Sequence, residues 1–124
     1  MLAKTIKYED YNGEQREEKF YFNISKAELV ELELSKKGGL QQVIQRMIDE
    51  EDTYQIIQLF KEIITIAIGK KSDDGKRFIK NPSIAEEFFQ TEAYSELLMS
   101  FLNNPDEAAK FIQGIIPKDM EEVK

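Results

Sequence analysis

The residues of this chain that could do chemistry are carboxylates, lysines and tyrosines, because it has no histidine and no cysteine. Without imidazole or thiol there is no side chain titrating near neutral pH by default, and Ser-His-Asp and Cys-His nucleophile systems are impossible. Imidazole and thiolate metal sites are excluded as well. Two acidic groupings remain to be weighed. Ser72-Asp73-Asp74-Gly75 followed by Lys76 invites a calcium-loop reading. With Gly75 at the sixth loop position, however, the first falls on Lys70 and the twelfth on Asn81, and neither supplies the required carboxylate. A turn fits better. The run Asp49-Glu50-Glu51-Asp52 offers four neighbouring acids. Adjacent side chains on a helix point in different directions, so the run reads as a solvated cluster at a helix junction. Gly38-Gly39 lacks the Gly-Lys-Ser/Thr context of a phosphate loop. Paired-carboxylate hydrolysis needs two acids facing each other across a cleft, and nothing in the sequence singles out such a pair. The chain therefore reads as a non-enzymatic protein with no cofactor, one that works by binding other proteins.

The bulk properties narrow the partners. The 124 residues suit one ordinary domain, and 41% hydrophobic content supplies one core. The net charge of −7 disfavours nucleic acid, whose phosphates need clustered Lys and Arg. An acidic inhibitor of a nucleic-acid enzyme is the sharper reading of that charge, and an ordinary acidic protein the plainer and preferred one. No stretch reaches the roughly 18 apolar residues of a membrane span. The start, residues 1–11, alternates polar and apolar residues and lacks the apolar core of a secretory signal, so a cytoplasmic location is expected.

Patterning then gives the elements that must position any binding surface. Ile6 and Tyr8 alternate with charge, and Phe20, Phe22 and Ile24 alternate with Tyr21 and Asn23, which is the period of half-buried strands. Asn12-Gly13 between them signals a turn, so residues 1–24 are expected to form a β-hairpin, with residues 15–19 exposed near its turn. Ser25 and Glu28 form a capping box, and Ile24 with Leu29 a hydrophobic staple, at the start of a first helix. Val30 and Leu34 continue its apolar face, and Gly38-Gly39 ends it. Leu40, Val43, Ile44, Met47 and Ile48 mark a second helix. Asp52 is expected to cap a third, apolar on most of its circumference over its second half and stopped by Gly69-Lys70-Lys71. Residues 76–80 suit a short extended piece. Asn81-Pro82, Thr91 and Asn104-Pro105 each start a further helix, and Pro117 ends the last. The fold class is α+β, mainly α: an N-terminal β-hairpin packed on a bundle of five to six helices. One domain is expected over 1–117, with 25–117 its helical part and a frayed polar tail at 118–124.

Apolar content this generous motivates two readings beyond plain core. One is self-association and the other is client binding. The contact elements would be the outer face of the hairpin and the last two helices. Tyr21, Phe78, Ile79, Ile115 and Ile116 are the candidate partner-binding residues, being apolar side chains at element edges, with ordinary core as the competing reading.

The whole chain resembles the tail assembly chaperones of long-tailed phages and of prophages in Gram-positive bacteria. The resemblance rests on residues 20–35 (FYFNISKAELVELELS), on 38–52 (GGLQQVIQRMIDEED) and on the run 72–117, in that order. It implies a protein encoded just before the tape measure protein that holds this long, aggregation-prone helical client soluble until tail tube protein displaces it. It further implies a location in the bacterial host cytoplasm, absence from the finished virion, and a longer frameshifted form of which this chain would be the shorter product. A head–tail connector or tail terminator component is the structural alternative, and the acidic inhibitor the other.

Overall fold

The computed structural model describes residues 1–117; the expected polar tail at 118–124 and the side chains of Ile48, Pro105, Ala109 and Gln113 lie outside the described residues. The alternating segments form strands β1 (Leu2–Glu9) and β2 (Gln15–Phe22), paired antiparallel from Leu2 opposite Phe22 to Glu9 opposite Gln15. The charged residues 15–19, expected near the turn, lie within β2. They fit there because they occupy solvated positions of a strand whose apolar end is Phe20–Phe22. The connecting turn is organised by Asp10, whose carboxylate accepts from the backbone N–H groups of Asn12 and Glu14 and pairs with Arg16 at 2.7 Å. Gly13 supplies the left-handed step, with φ 83°.

Six helices follow: α1 (Lys26–Ser35), α2 (Leu40–Asp49), α3 (Thr53–Ala67), α4 (Pro82–Phe89), α5 (Glu92–Asn103) and α6 (Pro105–Ile115). The capping box at Ser25 and Glu28 closes in both directions. Asp52 accepts from Gln55 N–H, Asn81 from Ser83 N–H, and Thr91 from Ala93 N–H, so three more caps stand where the sequence places them. Asn104 occupies the cap position of α6 without a side-chain bond to the helix.

Two expectations are corrected. Gly69-Lys70-Lys71 is not a helix stop. α3 ends at Ala67, and Ile68–Lys71 leaves it as strand β3. β3 pairs antiparallel with β2 (Tyr21 opposite Gly69) and with a short β4 (Phe78–Ile79), so the hairpin belongs to a four-stranded sheet in the order β1-β2-β3-β4. The backbone N–H of Asn23 donates to Ala67 O at 2.8 Å, which pins the turn from helix to strand against the end of β2. The second correction concerns α1. Its buried residues are Leu29 and Leu32, while Val30 and Leu34 lie exposed, Leu34 at 82%. The staple fixes Leu29 inward, and on a 3.6-residue period that turns Leu32, not Val30, toward the core.

The core lies between one sheet face and the helices. Ile6, Tyr8 and Phe22 project from the sheet onto α4, α5 and α6. Edge-to-face rings carry the contact: Phe22 meets Phe111 at 5.0 Å and Phe88 at 6.0 Å, and Phe20 meets Phe88 at 5.0 Å. Phe60 of α3 continues the chain to Phe101 at 5.1 Å. Tyr8 donates to Glu18 across the hairpin. That bond, reinforced by burial and the nearby negative charge, pushes its phenol up to about 12.

Candidate functional site

Among the described residues, two clefts lie where helical stripes converge without meeting. The first lies between α2, α3, α5 and α6. Its floor comes from Ile44 and Met47 of α2, Ile57 and Phe60 of α3, Leu98 of α5 and Ile112 of α6. Ile56 and Leu102 stand exposed at its lip, and Thr53 is the one polar residue among the described residues of the lining. The cleft volume is about 430 Å³. This arrangement follows from the composition of α3. Apolar residues occupy most of its circumference, and Ile63, Ile64 and Ala67 of its second half are buried in the core. The first half is covered in part, by the Phe101 and Phe111 rings against Phe60, and Ile56 and Ile57 are left along the open side.

The second cleft lies between α1, α3 and α4 and has a volume of about 700 Å³. Glu28, Glu31, Leu32 and Ser35 line it from α1; Glu62, Thr65 and Ile66 from α3; Pro82, Ala85, Glu86 and Phe89 from α4. Each set has the three- and four-residue spacing of one helix face. The floor is apolar and the rim acidic. Two ion pairs bracket it: Lys80 Nζ to Glu28 at 2.6 Å, and Lys36 Nζ to Glu62 at 2.6 Å. Lys80 also donates to Asn23 O at 2.7 Å, which ties the start of α4 to the end of β2. Desolvation pushes the Glu28 carboxyl up, but the bonds it accepts from Lys80 and from Ser25 N–H outweigh that and hold it below 4.5. The side chains of Glu31 and Glu86 have no hydrogen-bond or ion-pair partner among the described residues.

Three carboxylates of the two acidic segments, Asp49, Asp52 and Asp74, are engaged locally. Asp74 accepts from Lys76 N–H and from the Ser72 hydroxyl, which together hold its carboxyl below the ordinary range. Asp52 caps α3, and Asp49 accepts from Gln45. Among the described residues, no group of three or more acids is placed to hold a metal ion. No helix among them is long and apolar enough to cross a membrane.

The five candidate binding residues divide into two places. Tyr21 lies on β2, and Phe78 and Ile79 lie on β4, with β3 between them; Gly69 opposite Tyr21 makes room for the Phe78 ring, and the register puts Tyr21 and Phe78 on one sheet face and Ile79, opposite Lys70, on the other. Ile79 is exposed, and Tyr21 and Phe78 are half-buried. Ile115 and Ile116 end α6. Ile115 is only 1% exposed, sealed against Ile24, whose N–H donates to its carbonyl at 3.3 Å; it is core and presents no surface. Ile116 is half-buried beside it. None of the five lines the first cleft, and none lines the second. The signal for the first cleft was the all-round apolarity of α3, which marks the helix but not which side stays uncovered.

The family model described as phage tail assembly chaperone matches residues 1–124, the whole chain. The chain belongs to the phage tail assembly chaperone family. No curated protein and no solved structure shows a significant match.

Proposed function

We propose that this chaperone binds the tape measure protein and keeps it soluble in the host cytoplasm until the tail tube forms around it. The observation that carries this reading is the cleft between α2, α3, α5 and α6, apolar but for Thr53 and open at Ile56 and Leu102. A long helical client exposes apolar stripes before assembly. Such a stripe lies into a groove of this kind with its i, i+3, i+4 and i+7 side chains as anchors. The groove is short, so each contact is weak enough to be displaced by tube protein, as an assembly factor requires. Ile79, Tyr21, Phe78 and Ile116 are secondary contacts in this reading.

Co-expression with the tape measure protein tests it. The wild-type chain raises the soluble fraction of the client, and the pair Ile56→Asp and Leu102→Asp, both at exposed positions, removes most of that gain. A client no more soluble with the wild-type chain than without it overturns the reading.

A further inference from the structure

We propose that the cleft between α1, α3 and α4 is a second docking site, and that its occupant is a basic amphipathic helix of another protein. The shape points to a helix. Three helical faces, each lined at three- and four-residue spacing, wall a trough whose missing wall is a fourth helix. Leu32, Ile66 and Phe89 form the apolar floor for that helix's apolar stripe.

Charge then selects the kind of helix. Four glutamates line the trough, against Lys80 within it and Lys36 on Glu62. Those two lysines satisfy Glu28 and Glu62, and Glu31 and Glu86 are left to face an incoming cation. A helix with Lys or Arg flanking its apolar stripe completes both pairs, whereas an acidic helix meets repulsion at both. Among the described residues no helix of the chain supplies it. None of the six described helices carries more than one Lys or Arg, and the chain's net charge is −7. The occupant therefore comes from a different polypeptide. Where that polypeptide is the tape measure protein, the assignment rests on the proposed function above and separates its segments into purely apolar stripes for the first cleft and basic ones for this one.

The test uses two fluorescein-labelled helical peptides with the same leucine stripe, one flanked by lysines and one by glutamates, titrated with the full-length chain by fluorescence anisotropy. The lysine peptide binds at least about tenfold more tightly at low salt, and the preference shrinks at high salt. The double variant Glu31→Gln and Glu86→Gln, at exposed positions without partners among the described residues, weakens the lysine peptide about three- to tenfold, the effect of two partly screened ion pairs. Amide shifts on adding the lysine peptide fall on α1, α3 and α4. Equal binding of both peptides, an unchanged preference in the double variant, or shifts confined to the α2, α3, α5 and α6 cleft each overturn the assignment. So does self-association at high concentration that the double variant abolishes, since the trough would then hold a second copy. A wild-type chain that fails to solubilise the tape measure protein removes the chaperone reading alone, and the peptide titration still decides the trough.

Discussion

Gly69→Ala is the substitution on which the topology makes its sharpest demand. A helix-stop glycine would sit in the left-handed region, where alanine costs about 1 kcal/mol. Gly69 instead lies in β3 between β2 and β4. A methyl group built there comes within 2.5 Å of the Ile79 carbonyl oxygen and 2.6 Å of the Phe78 ring. Overpacking of this kind costs about 1–3 kcal/mol. The alanine recovers about 0.5–1 kcal/mol by restricting the unfolded chain. The net loss is about 1–2 kcal/mol, or a fall of about 3–10 °C in melting temperature for a chain of this size. Circular dichroism melts of the two proteins measure it. The ring can move and the carbonyl cannot without breaking β4. Adding Phe78→Leu to Gly69→Ala therefore restores only part of the loss, with a coupling of about 0.5–1.5 kcal/mol in a double-mutant cycle. An alanine variant as stable as wild type, or a cycle with no coupling, refutes the packing of β4 over Gly69 and with it the placement of Lys80 beside the second cleft.

Three further outcomes follow from single contacts. Ser25→Ala removes the acceptor for Glu28 N–H and costs about 1 kcal/mol in urea unfolding; an unchanged midpoint means the cap contributes nothing. Tyr94→Phe leaves stability unchanged or raises it by about 1 kcal/mol, because the buried Tyr94 hydroxyl has no partner among the described residues, and burial also pushes its phenol up. A loss above about 1 kcal/mol would show a partner at that hydroxyl. The Glu28 carboxyl is held below its ordinary 4.5, so its contribution is complete above that pH and is lost as pH falls through the depressed folded value. Urea midpoints from pH 7 to pH 3 follow that loss. Lys80→Met, which removes the Glu28 partner, flattens the acid limb relative to wild type, and an identical acid slope in the variant counts against the pair.

What could be read from the residues was local. Ser25 with Glu28, Asp52, Asn81-Pro82 and Thr91 announce helix starts because a cap is satisfied within three residues of itself. Ile6, Tyr8 and Phe22 were legible as the inward sheet face for the same reason. The failures have a common physical cause. Ile68-Gly69-Lys70-Lys71 carries the same residues whether it ends a helix or begins a strand, and the deciding partner is Tyr21, far away in sequence. Leu34 looked like core because leucine usually is; only the rotation of α1, fixed by Leu29 at its first turn, sends it outward. The clefts are defined by what fails to cover α3 and α1. An uncovered face is a property of the assembled neighbours and leaves no mark on the segment itself, which is why the five edge residues missed both.

The pairing of Tyr21 with Gly69 also sets an order of events at the ribosome. Roughly 50 residues separate the two, so at about 5–20 residues per second β2 is complete roughly 2–10 s before its partner strand has been synthesised. Throughout that wait β2 is an open template onto which a neighbouring nascent chain could pair. Its sequence is suited to waiting. Arg16, Glu17, Glu18 and Lys19 occupy half its length, and the run Phe20–Phe22 that would adhere to another chain is confined to the end that Ile68 later covers. This member of a chaperone family thus carries, in one strand, the means of limiting its own adhesion while it is being made.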